Sequence, residues 1–482
     1  MQHRQELEKV LDIDKLKYCY ECGICTSSCP VAELMPRVYN PRSLLQQIPL
    51  DFQQATKSKE IWLCAWCYRC YRRCPQGLRV PDILLLLKDT AAQSGSLEGF
   101  KEALEVILRE VPLPLACLYA CFNPARGNVE KPGTIEAVRH LVANYRHLTR
   151  GEKADIASPR KERIAIVGSG PAGLTAAQEL AKKGYLVTVF ESMPRPGGML
   201  GWCIPAYRLP REAVEAEIQR IRDLGVDFRT NVTVGKDLSI DDILKEGYDA
   251  LFIAIGAQKV RKLGIEGENL RGVLDALDFL RKAGTGEKIE LGNKVAVVGG
   301  GDVAMDAARI ARVALHLGAK DVTILYRRSR DEMPANPWEV KETEDEGVRI
   351  EFLVAPKRIL GKDGRVAALE CVRMKLGRPD QTGRRRPIPI QGSEFMMEVD
   401  SVIPAIGESP SLFPLPKGVR ITKRNTIAAD PFTLQTGVPG IFAGGDVVRG
   451  PSTVIEAVVD GKRAAESIHR YLLDRSKTGQ GG

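Results

Sequence analysis

Two rhythms of apolar and polar positions run along the chain. From Arg163 to about Leu473, continuous apolar runs bounded by glycine turns alternate with stretches whose apolar residues recur at helical spacing. "RIAIVGSGPAGLTAAQELAKKGYLVTVFES" shows one full period: a run that reads as a buried strand, a tight glycine turn, a helix and a second strand. "NKVAVVGGGDVAMDAARIARVALHLGAKDVTILYRRS" repeats it. Upstream the rhythm is helical. "MQHRQELEKVLDIDK" reads as a charged amphipathic helix, residues 96–150 are mostly helical by pattern, and "GTIEAVRHLVANYRHL" has Thr134 as its N-cap. "RGEKADIASPRKER" separates the halves as an exposed linker. The pattern predicts an α/β unit preceded by a helical domain.

The two glycine turns carry chemistry. In the first, Gly168, Gly170 and Gly173 stand at G-x-G-x-x-G with Pro171 and Ala172 between them, and Glu191 ends the next strand 23 residues after Gly168. Three glycines alone are weak evidence. Set between a strand and a helix, with an acid at that distance, they form a dinucleotide fingerprint. Gly168 permits the turn, Gly170 lets a pyrophosphate approach backbone N–H groups, Gly173 allows close helix–strand packing, and Glu191 accepts from ribose hydroxyls. In the second turn Gly299, Gly301 and Ala304 take the same positions. Two such units normally hold two different nucleotides.

The second unit ends in Tyr326, Arg327 and Arg328 where an acid would stand. An acid there would repel a 2′-phosphate, whereas an arginine fork pairs with it and a planar neighbour can cover an adenine. This predicts NADPH in preference to NADH.

Eight of the twelve cysteines fall in two matched runs. "CYECGICTSSCP" contains Cys19, Cys22, Cys25 and Cys29; "CAWCYRCYRRCP", 45 residues on, contains Cys64, Cys67, Cys70 and Cys74. Zinc usually takes two separated CxxC pairs. C-x2-C-x2-C-x3-C-P is instead the bacterial two-cluster run, whose fourth cysteine ligates the other cluster. Crossed ligation puts Cys19, Cys22, Cys25 and Cys74 on one [4Fe-4S] cluster and Cys64, Cys67, Cys70 and Cys29 on the other. Cys117, Cys121, Cys203 and Cys371 read as packing residues.

Residues 10–95 resemble the small electron-transfer subunit of heterodisulfide reductases, through both cysteine runs and the helix after "RVPD". "TGVPGIFAGGDVVRGPSTVIEAVVDGKRAAESI" resembles the second flavin signature of two-dinucleotide-domain flavoproteins. That resemblance implies Gly445 and Asp446 at the ribityl–phosphate region, and Thr453 and Val454 N–H groups facing the flavin pyrimidine edge. It also assigns FAD to the first fingerprint and the nicotinamide nucleotide to the second. "PGGMLGWCIPAYRLP", "YRRSRDEMPANPWEV" and "SVIPAIGESP" are similar to the small subunit of NADPH-dependent glutamate synthase over about residues 115–475. The likeness implies FAD contacts at Gly198, Met199 and Arg208, and NADPH contacts at Asp302, Val303, Arg327, Arg328, Ala405 and Gly407. Where that family carries further cluster cysteines, this chain keeps Cys117 and Cys121 and has Ala125.

The expected fold class is α/β: two nested dinucleotide-binding (Rossmann-like) domains preceded by a helical ferredoxin-type two-[4Fe-4S] domain. The expected divisions are 1–150 for the cluster domain, 163–288 and 403–474 for the two parts of the FAD domain, 289–402 for the NADPH domain, and 475–482 for a flexible tail. A net charge of +9 is mild, with 61 acidic residues interspersed among 70 basic ones, and it argues against nucleic-acid binding. No apolar run is long enough to span a bilayer, and the clustered cysteines suit a reducing cytoplasm. No hydrolytic constellation appears. The expected function is transfer of electrons between NADPH and a partner redox enzyme in a larger complex, by hydride to FAD and then single electrons through two clusters. Heterodisulfide reductase-like, carbon monoxide dehydrogenase, folate-reducing and hydrogenase subunits, or ferredoxin, all fit as the partner. The alternatives are a glutamate synthase small subunit and a non-enzymatic electron relay.

Overall fold

The computed structural model describes residues 22–94, 98–122, 157–313, 319–380 and 383–477. The expected helices before residue 16 and after Thr134, and Cys19 itself, lie outside the described residues.

Two parallel sheets organise the C-terminal part. The first is built from β1 (Arg163–Val167), β2 (Leu186–Phe190), β3 (Asp227–Arg229) and β4 (Ala250–Ile253), with β14 (Ile441–Ala443) returning from far along the chain. Its order is β14-β4-β1-β2-β3, every pair parallel. The residues of β1, β2 and β4 are almost all buried, as continuous apolar runs require when both faces of a sheet are covered. A pair of two-residue strands follows the first sheet: β5 (Lys259–Val260) pairs antiparallel with β13 (Glu408–Ser409). The second large sheet comprises β6 (Lys294–Val298), β7 (Asp321–Tyr326), β8 (Arg349–Phe352) and β12 (Ser401–Pro404), in the order β12-β6-β7-β8. It is inserted between β4 and β14, so the two units are nested. The expected boundary between residues 402 and 403 falls inside β12.

The regular β–α alternation predicted to Leu473 breaks most extensively after β8. Between β8 and β12 the chain forms an antiparallel sheet of β9 (Val354–Lys362), β10 (Arg365–Pro379) and β11 (Arg385–Glu398). Its Val354, Ile359, Leu369 and Cys371 pack on Ala296, Val298 and Leu325 of the second parallel sheet. This sheet covers a face that a crossover helix would otherwise cover. Cys371 is fully buried there, a packing residue as expected.

The N-terminal part is helical. After Cys29, Pro30 stands at the first position of the helix Pro30–Leu34, where its missing N–H costs nothing. Longer helices, Val80–Gln93 and Glu98–Glu110, follow the second cysteine run. These helices share one continuous apolar core with the first parallel unit: Ile61, Ile83 and Phe100 belong to the same cluster as Ile164, Leu180 and Ile468. A polar tie reinforces it. Buried Glu217 accepts the Leu115 N–H at 2.6 Å at the start of the helix Pro114–Ala120.

The helices Pro171–Lys182 and Val454–Lys477 cross at Gly461, where an added Cβ would stand 2.3 Å from the Ala172 carbonyl oxygen. Gly461→Val is expected to push this pair apart and cost about 1–3 kcal/mol in denaturant unfolding, as overpacking does. Unchanged unfolding would show that the crossing tolerates a larger residue.

Candidate functional site

The glycine fingerprints meet at one continuous cleft of about 2260 Å³. Gly168 has φ 101°, and an added Cβ would stand 2.5 Å from the Ala254 carbonyl oxygen. At Gly173 the Cβ would meet the Gly168 carbonyl oxygen at 1.9 Å, so only glycine allows this helix its distance from the strand. At Gly170 and Gly301 an added Cβ would meet nothing within 4 Å, which leaves backbone facing open cleft. That is the cradle a pyrophosphate needs at a helix N-terminus. Pro171 and Ala172 start the helix along the same wall.

Glu191 is buried at the cleft and accepts the Ser169 N–H at 3.1 Å and the Met193 N–H at 2.8 Å. These bonds orient its carboxylate. Gly198 packs against Gly170, and Met199 opens a short helix beside it. Gly445, which packs against Ala172, and Asp446, Thr453 and Val454 also line the cleft. The Gly445 N–H donates to buried Asp460 at 2.9 Å, and the Arg449 Nε donates to the same carboxylate at 2.9 Å. Burial pushes the Asp446 carboxyl up to about 7, against a 2.7 Å hydrogen bond from Ser452. Thr453, expected to offer its N–H to a flavin, donates it to Glu456 at 3.1 Å.

The second fingerprint repeats this logic. An added Cβ on Gly299 would stand 2.1 Å from the Ala405 carbonyl oxygen, which packs Ala405 under the turn, and Gly407 follows on the same wall. Ala304 is fully buried in the helix–strand contact. Asp302 and Val303 begin the helix Asp302–Val313 at the cleft, and Asp302 accepts the Asn336 N–H at 3.1 Å.

Several expected contacts are already engaged within the protein. Arg208 lines the cleft, but its guanidinium binds Asp306 at 2.7 Å and Glu339 at 3.4 Å. Burial opposes its charge; Asp306 and Glu339 outweigh that and raise its pKa. Arg309 binds Glu339 at 3.1 Å and Glu342 at 2.8 Å, which extends the network through the second unit. Arg208 therefore ties the two nucleotide units together. Tyr326, the planar neighbour, is buried against Gly300 with its hydroxyl on the Glu332 carbonyl at 2.7 Å. Arg328 donates to the Arg385 carbonyl at 2.8 Å and to Asp380 at 2.9 Å, which anchors the antiparallel sheet.

Arg327 is exposed at the cleft. Partial desolvation of its guanidinium, then the Arg328 and Arg384 charges, push its pKa down. Arg384, from the turn before β11, lines the same wall. Pattern reading missed Arg384, although the "GRRRP" cluster was its signal.

The second cysteine run closes on itself with help from the first. Cys64, Cys67, Cys70 and Cys29 line one small cavity with Tyr39, Val80 and Leu84. Trp66 and Tyr68 hold left-handed backbone, φ 45° and 55°, which wraps the loop around this space. Backbone N–H groups of Trp66, Arg69 and Ala32 face the Cys64, Cys67 and Cys29 thiols and oppose the effect of burial on them. Burial pushes the Cys29 and Cys67 thiols up to about 12. Among the described residues, no three Cys, His, Asp or Glu side chains close on a point as one metal ion requires. The sulfurs surround a space instead, and N–H groups directed at them suit a cluster.

In the first run Cys22 is exposed, and Cys25 is buried close enough to feel its charge. Cys74 ends the helix Arg69–Arg73, which packs on Ile24–Ser27, and its Sγ accepts the Leu78 N–H at 3.4 Å. Cys117 and Cys121 are both buried; Cys121 reaches the cleft. Cys203 lies at the cleft as well, its thiol pushed up to about 12 by burial.

The family model for pyridine nucleotide-disulphide oxidoreductase matches residues 162–461. The chain belongs to that family. Residues 15–78 match a 4Fe-4S dicluster domain, so this oxidoreductase carries two [4Fe-4S] clusters together with FAD and NADP. It is 42% identical to the NADP(+)-dependent formate dehydrogenase subunit beta of Moorella thermoacetica, over 84% of this chain and 60% of that one. It is 40% identical to the NADPH-Fe(3+) oxidoreductase subunit beta of Geobacter sulfurreducens, over 84% and 63%. The chain thus spans about three-fifths of the length of these two relatives. The glutamate synthase [NADPH] small chain of Azospirillum brasilense is 36% identical over 85% of this chain and 87% of its own. The structure of Mycobacterium tuberculosis FprA in complex with NADPH shares the fold, with a TM-score of 0.58 at 23% identity over 66% of this chain and 86% of that one. No described helix is long and apolar enough to cross a membrane.

For this oxidoreductase, Arg327→Ala and Arg384→Ala are each expected to raise the KM for NADPH about tenfold and leave NADH little changed, the scale of one charged hydrogen bond. Arg328→Ala should instead lower stability. An NADPH KM unaffected by both changes would remove the pair from 2′-phosphate binding.

Proposed function

We propose that the chain passes electrons between NADPH and a partner redox subunit, with FAD and two [4Fe-4S] clusters as the path. Bound FAD would take hydride from NADPH, and the clusters would carry single electrons. The observation that carries this reading is a shared wall: Cys67 lines both the nucleotide cleft and the cluster cavity. The cluster held by Cys29, Cys64, Cys67 and Cys70 then lies next to the flavin. The other cluster, for which Cys22, Cys25 and Cys74 are the described ligands, would lie further out, towards the exposed Cys22.

The residues around that wall position and clamp. Arg69, two residues after Cys67, forms a 2.7 Å ion pair with Glu456, which caps the N-terminus of the helix Val454–Lys477 at the flavin end. Gly170 and Gly301 offer backbone to the two pyrophosphates, and Arg327 and Arg384 take the 2′-phosphate. Two relatives named as beta subunits support a partner subunit as the source or destination of the electrons. The clustering of eight cysteines in two runs supports a reducing, cytoplasmic setting.

Anaerobically prepared chain should contain about eight irons, two cubanes' worth. On NADPH addition it should show flavin bleaching, loss of cluster absorbance and reduction of a viologen. Zinc in place of iron, or clusters that stay oxidised while the flavin bleaches, would overturn the proposal.

A further inference from the structure

Lys88 is a cation buried beside a cysteine run, and neither the fingerprints nor the cluster spacing accounts for it. It lies on the helix Val80–Gln93, one turn after Leu84, and Val80 and Leu84 line the cavity of Cys29, Cys64, Cys67 and Cys70. Its side chain is 1% exposed. The Nζ sits 4.4 Å from the Trp66 ring centroid and 5.8 Å from that of Trp62. Trp66 stands between Cys64 and Cys67 in the loop that wraps the cavity. Two indole faces hold an ammonium by cation–π attraction and keep water away from it.

Its charge stands against the loop that carries Cys64 and Cys67. Two acids stand on the same helix, and the neighbouring Asp89 feels the Lys88 charge. Asp82 takes the Arg79 Nε at 2.8 Å and the Tyr68 hydroxyl at 2.9 Å, and burial pushes the half-buried Asp89 up to about 6. Tyr39, also buried, lines the same cavity as Cys64.

We propose that the Lys88 ammonium is the buried counter-cation of the cluster held by Cys29, Cys64, Cys67 and Cys70, and that it raises that cluster's reduction potential. The inference rests on the cluster reading of this cavity. A four-thiolate cluster gains one negative charge with each electron. A fixed cation in a water-poor site favours the reduced form, because Coulomb energy grows as the local dielectric falls. Lys88 acts through its field and touches neither flavin nor nucleotide, so it is a positioning charge for the electron rather than a catalytic residue.

The test is an EPR-monitored potentiometric titration of anaerobic, iron-replete full chain carrying Lys88→Met or Lys88→Arg. Methionine keeps most of the length and removes the charge. It should lower the reduced fraction of one cluster at least tenfold at fixed potential, about 59 mV for a one-electron couple. The flavin and the other cluster should not move, and Lys88→Arg should stay within about threefold of wild type. If Lys88→Met loses iron, Lys88→Gln takes its place under the same criteria. An unmoved potential in an iron-replete neutral variant overturns the proposal. So does an arginine variant that shifts as far as the neutral one, which would make packing rather than charge responsible. Failure of the cluster reading is separable, because wild-type protein would then lack the irons.

Discussion

The structure depends on one contact, the seating of the second cysteine run against the first nucleotide unit. Electrons move usefully only between groups held close together, and here Ala65, Cys67 and Tyr68 belong to both walls, Cys67 being the one that carries a sulfur. The contact is fixed in two ways. A continuous apolar core runs from Ile61 and Phe100 into Ile164 and Ile468. At its polar edge the Arg69–Glu456 pair joins the cysteine loop to the helix N-terminus. An exposed ion pair would contribute little, but Glu456 is mostly buried and also caps the helix, so it couples loop position to helix position.

The two nucleotide units are held to each other by different chemistry. Their joint is ionic: Arg208 from the first unit binds Asp306 and Glu339 of the second, and Arg309 extends the network to Glu342 and Glu346. Such a network is directional, and it specifies one relative orientation more sharply than apolar contact does. In the proposed function, that orientation decides whether nicotinamide and flavin would face each other across the shared cleft.

Much of this was legible in the sequence because the constraints are local. Gly168, Gly173 and Gly299 are needed where a Cβ would strike backbone, and a short motif records that need. The cysteine spacing records a wrapped loop, and Cys29 does join the second run at one cavity. What stayed hidden depends on distant partners. Arg328 and Tyr326 sit where the motif suggests phosphate and adenine contacts, yet Asp380, Arg385 and Gly300, all remote or unmarked in the pattern, engage them. Arg208 carries a motif that suggests a flavin contact, while its partners Asp306 and Glu339 are about a hundred residues away or more. The antiparallel sheet β9–β11 escapes pattern reading because its half-buried strands break the β–α rhythm without a motif of their own. Lys88 gave no signal, since its meaning comes from two indoles that folding brings to it.

The central claim is that the Cys67 wall is the bridge from flavin to the outer cluster. Rapid mixing of anaerobic Cys67→Ser chain with NADPH tests it most directly, with flavin and cluster absorbance and EPR followed in time. The account predicts flavin reduction at the wild-type rate and an outer cluster that stays oxidised. Reduction of the outer cluster at the wild-type rate in that variant would contradict it.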